Sequence, residues 1–257
     1  MNPADFERLV TLLKTSCNAA VFTGAGISTL SGIRDFRGKN GVYKEPWRGM
    51  SVEALLSLDV FERDPSLFYG WAREFVYRVG AFEPGPVHRV VAELEKRGIV
   101  REVFTQNIDL LHQRAGSRNV WELHGSPAKH GCTRCGRTYG YDEVAPEVMA
   151  GKVPRCSCGG VLKPDIIFYG ESLRADVLLH AENFMRKCDV LLTLGSSLTV
   201  YPAAGLPETA CRHGAHLVIV NDQPTAFDGC AELRFQDLGE VFGELEKRLA
   251  AKQGIDF

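Results

Sequence analysis

Residues 19–28 read Ala19-Ala20-Val21-Phe22-Thr23-Gly24-Ala25-Gly26-Ile27-Ser28, an apolar run that ends in two closely spaced glycines. Five such residues without polar alternation predict a strand buried on both faces, and glycine directly after it predicts a tight loop. Upstream, Asn2 before Pro3 gives a helix N-cap with proline at the first helical position, and Phe6, Leu9, Val10 and Leu13 recur at helical spacing. Downstream the alternation repeats. Val87, Val90, Val91 and Leu94 form an amphipathic helix stopped at Gly98, and a strand follows over residues 102–105. Val177, Ala181, Phe184 and Cys188 share a helical stripe before the strand 190–194, and a further strand covers 216–220. Leu238, Val241, Phe242, Leu245 and Leu249 close the chain as a helix. Strands too apolar to have a wet face, alternating with helices, predict an α/β fold with a doubly wound parallel sheet.

Two stretches break this rhythm. Residues 38–80 carry aromatics and helical signals, whereas residues 128–164 carry Cys132, Cys135, Cys156 and Cys158. Both are read as insertions, a helical one and a zinc-binding one, that form a smaller lobe; residues 1–37, 81–127 and 165–257 remain for the sheet domain. Cys132-x2-Cys135, 20 intervening residues, then Cys156-x-Cys158 is close to the paired pattern of a four-thiolate zinc site. The second pair is one residue shorter than usual, which leaves His130 as an alternative ligand. Four thiolates would fill a tetrahedral shell, so such an ion is structural, one per chain, and the chemistry lies elsewhere. Cys17, Cys188, Cys211 and Cys230 lie in apolar surroundings and are expected to be buried filler.

With 30 Lys+Arg against 32 Asp+Glu in 257 residues, the formal charge is −2. That balance predicts no direct nucleic-acid binding and no attraction to acidic membranes. The richest apolar stretch, residues 190–206, is interrupted by Ser196, Ser197, Thr199 and Pro202, so no membrane span is expected. Asp5 and Glu7 argue against a signal peptide, which gives the expectation of a cytoplasmic protein, taken as a monomer.

The glycine loop lacks the third glycine of a dinucleotide fingerprint, Thr29 standing in its place. No strand carries the acidic residue expected about 20 positions later, which disfavours a nicotinamide dehydrogenase. Instead the loop runs on through Ile33-Arg34-Asp35-Phe36-Arg37-Gly38, polar groups suited to fold over a phosphorylated ligand. Thr105-Gln106-Asn107-Ile108-Asp109, Leu123-His124-Gly125 and Gly195-Ser196-Ser197 each follow a predicted strand. In a parallel sheet those carboxyl ends share one edge, where ligands bind. His124, alone among the seven histidines in having that context, is the candidate base.

Taken together, Gly24-Ala25-Gly26-Ile27-Ser28, Asp35-Phe36-Arg37, Thr105-Gln106-Asn107-Ile108-Asp109, His124-Gly125, the cysteine quartet, Phe168-Tyr169-Gly170-Glu171 and Gly195-Ser196-Ser197-Leu198 resemble, in this order, the sirtuins. These are the NAD-dependent protein-lysine deacylases, and the likeness runs from about Val21 to Asn221. The resemblance implies a Rossmann-like NAD-binding domain and consumption of NAD as a co-substrate. It also implies release of nicotinamide, O-acyl-ADP-ribose and free lysine. It places Gly24, Ala25, Ser28, Asp35, Phe36 and Arg37 around the cofactor, with Gln106, Asn107, Ile108 and Asp109 at its ribose and carboxamide. Gly195, Ser196, Ser197, Asn221 and Asp222 fall at the adenosine end. His124 is then the base, with Asn107 as its catalytic companion. An acyl-lysine peptide would enter between Ile167, Phe168, Tyr169, Gly170, Glu171 and Leu198, Val200, pairing by strand addition. Arg34 stands where the family usually has proline, which predicts a more mobile loop.

Family members that favour acidic acyl chains carry Tyr-x-x-Arg over the acyl tunnel. Here Tyr69 is the matching tyrosine and candidate acyl-pocket residue, but Ala72 replaces the arginine, so neutral acyl groups are expected. Two alternatives share part of this pattern: a protein ADP-ribosyltransferase using the same NAD pocket, and a non-catalytic zinc module that senses NAD or ADP-ribose.

Overall fold

The computed structural model describes residues 1–251. Its strands are β1 (Ala19–Thr23), β2 (Val100–Thr105), β3 (Val120–Glu122), β4 (Gly125–Cys132), β5 (Thr138–Gly140), β6 (Leu162–Ile166), β7 (Val190–Leu194), β8 (His216–Val220) and β9 (Leu233–Phe235). The α-helices are α1 (Pro3–Thr15), α2 (Val52–Leu55), α3 (Leu58–Arg63), α4 (Pro65–Phe75), α5 (Pro86–Lys96), α6 (Leu111–Ala115), α7 (Tyr141–Met149), α8 (Ala175–Met185), α9 (Gly205–Arg212) and α10 (Leu238–Ala250).

Every residue of β1 and of β7 is buried, as expected for strands covered on both faces. The main sheet runs β3-β2-β1-β7-β8-β9 with all its pairs parallel. Counted within this sheet alone, that is the order 3-2-1-4-5-6 of a Rossmann-like doubly wound sheet, whose order reverses between β1 and β7. Helices α1, α5 and α10 pack Phe6, Leu9, Val90, Leu94 and Phe242 against one face. Helices α8 and α9 cover the other with Val177, Ala181, Leu206 and Ala210.

A second, antiparallel sheet, β5-β4-β6, and the helices α2, α3, α4 and α7 share a separate core around Phe61, Phe68, Trp71, Val144 and Leu162. The sheet reaches from Gly125 to Ile166, slightly beyond the expected module on both sides. Gly125 lets the chain turn from β3 into it: φ is +65°, and a Cβ there would lie 1.7 Å from the Asp165 carbonyl oxygen.

Three expectations need correction. Helix α8 stops at Met185, so Cys188 belongs to the turn before β7 rather than to the helical stripe. Strand β9 escaped the sequence because Leu233-Arg234-Phe235 contains no apolar run. Of the four scattered cysteines only Cys188 is buried; Cys211 is half-buried, and Cys17, in the turn before β1, and Cys230, at the end of a short 3-10 turn, are exposed.

Candidate active site

The glycine loop after β1 and the Gly195 loop after β7 meet where the strand order reverses. Gly26 N–H donates to the Gly195 carbonyl at 2.9 Å. A Cβ on Gly26 would lie 2.8 Å from Gly195 Cα, and one on Gly195, whose φ is +59°, would lie 2.5 Å from Ile27 N. Side chains at either position would push the two loops apart, so the crevice depends on glycine at both.

A cleft of about 1290 Å³ opens over this junction. Its walls hold Gly24, Ala25, Asp35, Phe36 and Arg37 from the first loop, and Gln106, Asn107, Ile108 and His124 from the ends of β2 and β3. Gly195, Ser196, Ser197, Asn221 and Asp222 line the other end, and Ile167, Phe168, Tyr169, Gly170, Glu171 and Val200 line the side toward the small lobe. Sequence reasoning missed Leu56 and Ile166 on the floor and Gln223, Asp237 and Leu238 on the far wall. Asp237 caps α10 by accepting from Glu240 N–H at 2.9 Å; reading β9 would have placed that helix start at the same sheet edge.

Ser28 and Asp109 face an adjoining cavity of about 200 Å³, which shares Ala25, Phe36, Asn107 and Ile108 with the cleft. Ser28 Oγ donates to Asp109 Oδ2 at 2.6 Å and accepts from Asn107 Nδ2 at 3.2 Å. A buried hydroxyl thus holds an amide and a carboxylate in fixed relation. At the Ser196 end of the cleft, Gln106 Nε2 donates to Ser196 Oγ at 2.8 Å.

His124 Nδ1 lies 3.1 Å from the Gln106 carbonyl oxygen. A carbonyl can only accept, so Nδ1 carries the proton and Nε2 keeps its lone pair. Burial holds the ring's pKa below the ordinary histidine value, and the Arg37 charge works in the same direction, while the Gln106 carbonyl opposes both. At neutral pH the ring is therefore an uncharged base. Its own carbonyl accepts from Ile167 N–H at 2.9 Å, which ties it to the segment 167–171.

That segment is anchored twice more. Tyr169 N–H donates to Leu56 and its carbonyl accepts from Leu58 N–H, at 2.8 and 3.0 Å. Glu171 meets Lys163 at 2.8 Å and accepts from Phe168 N–H at 2.8 Å. Arg37 donates to the Tyr169 hydroxyl at 3.3 Å, and the Tyr43 and Tyr169 hydroxyls are 2.9 Å apart, so the loop 35–43 is joined to the same segment.

Three site expectations fail. Leu198 is 2% exposed and packs into the α8–α9 core instead of lining the cleft, because its φ of +55° turns the chain there. Tyr69 is 3% exposed in the small-lobe core and its hydroxyl donates to the Leu162 carbonyl; it lines neither cavity, since helix packing claims the whole ring. Arg34 does not loosen its loop: the guanidinium donates to the Asn40 carbonyl at 2.8 Å and to Glu45 at 3.1 Å, bridging it.

The sulfurs of Cys132, Cys135, Cys156 and Cys158 all lie within 4.8 Å of one another. Four sulfurs about 2.3 Å from a tetrahedral zinc would be spaced about 3.8 Å apart, so the set fits that ion. The Cys158 backbone N–H and then the Tyr139 hydroxyl, 3.1 Å away, push the Cys156 thiol down to about 5, toward the thiolate a metal needs. His130 is not the alternative ligand; it is buried with its Nε2 against the Tyr77 hydroxyl. None of the four cysteines lines the cleft.

A sequence profile of the Sir2 family matches residues 24–202, the stretch from the glycine loop past the Gly195 loop. The chain belongs to the Sir2 family. It is 44% identical over 244 residues to NAD-dependent protein deacylase 2 of Archaeoglobus fulgidus, covering 94% of each protein. Over 230 residues it is 41% identical to the NAD-dependent protein deacetylase of Thermotoga maritima, covering 89% of this chain and 92% of that one. It superimposes with a TM-score of 0.84 on a solved structure described as "Sir2-p53 peptide-NAD+", at 38% identity and covering 94% and 96% of the two chains. A second Sir2 structure gives 0.87 at 41% identity, covering 96% and 98%. Among the described residues no helix is long and apolar enough to cross a membrane.

Proposed function

We infer that this Sir2-family chain is an NAD-dependent protein-lysine deacylase that takes acylated-lysine peptides. The observation that carries the reading is the meeting, in one cleft, of a neutral, tautomer-fixed His124, the glycine loop at the sheet's switch point and the segment 167–171. A sensor without turnover has no use for such a base.

NAD, when bound, would supply a ribose carbon that gives up nicotinamide and accepts the acyl oxygen, and one water, consumed in breaking the acyl–nitrogen bond, would complete release of free lysine and an O-acyl-ADP-ribose. The chain's own groups do the rest. Gly24, Ala25 and Arg37 border the pyrophosphate and ribose, while Ser196, Ser197, Asn221 and Asp222 border the adenosine. The Ser28–Asn107–Asp109 set presents one amide and one carboxylate in fixed directions, matching the donor and acceptor of a carboxamide. Phe36 and Ile108 exclude water from that end. His124 Nε2 takes a proton from a ribose hydroxyl, and the Gln106 carbonyl holds the ring in the tautomer that can do so. The peptide lies along residues 167–171 by strand addition, which cannot use Phe168 or Tyr169 because the backbone groups of both are taken within the chain. The cysteine quartet holds a structural zinc and keeps β4 and its neighbours in place.

Mass spectrometry of an acetyl-lysine peptide incubated with NAD and the protein tests this reading. Loss of the acetyl group with equimolar nicotinamide and O-acetyl-ADP-ribose is expected. Label from NAD left on protein, with the peptide unchanged, would make the chain an ADP-ribosyltransferase instead.

A further inference from the structure

Two cysteines outside the zinc quartet meet across the connection between β8 and β9. Cys211 lies on α9 and is half-buried, whereas Cys230 ends the 3-10 turn Asp228–Cys230 and is exposed. Cys211 Sγ lies 3.9 Å from the Cys230 carbonyl oxygen, and the Cys230 thiol donates to the Phe227 carbonyl at 3.2 Å. The thiols are neighbours: partial desolvation first, and then the Cys211 thiol beside it, raise the Cys230 pKa above the usual cysteine value.

Cys230 closes the segment that starts at the end of β8, where Asn221, Asp222 and Gln223 line the cleft. Polar contacts hold that segment in shape. Asn221 Nδ2 and Arg234 each donate to the Gln223 carbonyl, at 2.7 and 2.8 Å, and Arg234 meets Asp228 at 2.9 Å. Only Phe227 among residues 221–231 is buried, so apolar packing does little to fix the segment, and partly exposed polar contacts are weak and screened by salt. Helix α9, by contrast, is set in the core by Leu206 and Ala210. A covalent bond from Cys211 to Cys230 would tie the loose segment to the firm helix.

We propose that Cys211 and Cys230 form a reversible disulfide that clamps the cleft-bordering segment 221–230 to α9 and tightens cofactor binding. The co-reactant is a low-molecular-weight disulfide. One cysteine thiolate attacks a reagent sulfur, forming a mixed disulfide and expelling one thiolate; the second cysteine thiolate attacks the protein sulfur of that bond and expels the other. The cysteine pair loses two electrons, the reagent gains them, and the two cysteine protons end on the two released thiols. The bond joins residues 19 positions apart, which restricts the unfolded chain. A segment already held in place also loses less freedom when a ligand binds against it. That the segment borders NAD rests on the NAD-dependent reading above, whereas the disulfide itself does not.

The full chain, with its metal content recorded before and after, is incubated with glutathione disulfide, alkylated, digested and mapped by mass spectrometry. Cys211 and Cys230 should be recovered as one linked pair that dithiothreitol separates, while Cys17, also exposed, takes up glutathione alone. Calorimetry on the linked protein should give a Kd for NAD at least about twofold lower than in the reduced protein, and a Tm higher by about 5 °C or more. Cys211→Ser and Cys230→Ser, at positions that do not line the cleft, should abolish both responses and keep the Kd of the reduced protein. Cys211 and Cys230 recovered as free thiols or as separate glutathione adducts would overturn the clamp, and so would a linked pair that leaves the Kd for NAD unchanged. Linked protein that binds NAD more tightly yet frees no lysine from an acetyl-peptide would instead overturn the deacylase reading and leave the clamp standing.

Discussion

Ser28→Ala removes one hydroxyl from a site 1% exposed, and two groups to which the proposed reaction gives a role are bonded to it. Its Oγ donates to Asp109 at 2.6 Å and accepts from Asn107 at 3.2 Å. Asp109 retains the Leu111 N–H, 3.0 Å from Oδ1, and faces a cavity that water can enter, so its loss is partly made good. The Asn107 amide is 6% exposed, and leaving a buried donor without an acceptor costs about 1–3 kcal/mol, less what a water in the same cavity restores. If that cost falls on the geometry presented to NAD, kcat/KM for NAD should drop about 5- to 150-fold, since each 1.36 kcal/mol is tenfold. A calorimetric scan should also show a lower Tm, by about 2–4 °C per kcal/mol lost in a domain of this size. Steady-state kinetics with NAD varied at saturating acetyl-peptide gives the first number. A drop in Tm with kcat/KM for NAD within twofold of wild type would refute the assignment, because the hydroxyl would then serve the fold and not the cofactor.

His124→Ala should leave NAD binding within a few-fold and lower turnover on the order of 100-fold or more, the scale of losing a positioned base; equal turnover would make the ring structural. Because burial holds its pKa below 6.5, the wild-type rate should be level above pH 7 on this limb and fall as pH drops through a value under 6.5. Acetyl-lysine should be processed at least about tenfold faster than succinyl-lysine in a competition assay. Leu56, Ile166 and Phe168 line the cleft, Arg73 lies against Gly151 outside it, and Arg34 and Arg37 in the cleft are engaged by Glu45 and Tyr169, so a distal carboxylate would be desolvated at a cost, and even 1.4 kcal/mol of that penalty surviving in the transition state is tenfold. Elemental analysis should find about one zinc per chain, with Cys156→Ser and Cys158→Ser equally damaging to small-lobe stability; fully active zinc-free protein would end that assignment. Acid should unfold the protein early. Burial lowers His88 and His130 to about 4, so the unfolded chain takes up protons first and stability, whole above pH 6.5, falls toward pH 4 by up to about 3 kcal/mol for each ring, read from denaturant midpoints at stepped pH.

The residues at the strand ends were legible because each loop carries polar or glycine residues that a packed core has no use for. Asn107, His124 and Ser196 announce themselves in that way, and the parallel sheet follows from the apolar runs beside them. That they share one sheet edge was legible too; which strands lie side by side was not. Nothing local to Thr23-Gly24 or Leu194-Gly195 says that β1 lies beside β7, since that pairing joins residues more than 160 positions apart and is decided by which faces the helices can cover. The failures have the same origin. Leu198 and Tyr69 sit in motifs that match the family, yet one is turned inward by a positive φ and the other by helix packing in a second core, both products of tertiary structure. Arg34 is the instructive case. Replacing proline removes a local restraint, which alone predicts a looser loop, but the same side chain reaches residues 40 and 45 and supplies a restraint of its own. That exposed bridge is worth at most about 1 kcal/mol and weakens with salt, unlike a proline ring, so the loop over the cofactor cleft is held here by a contact that ionic strength can release.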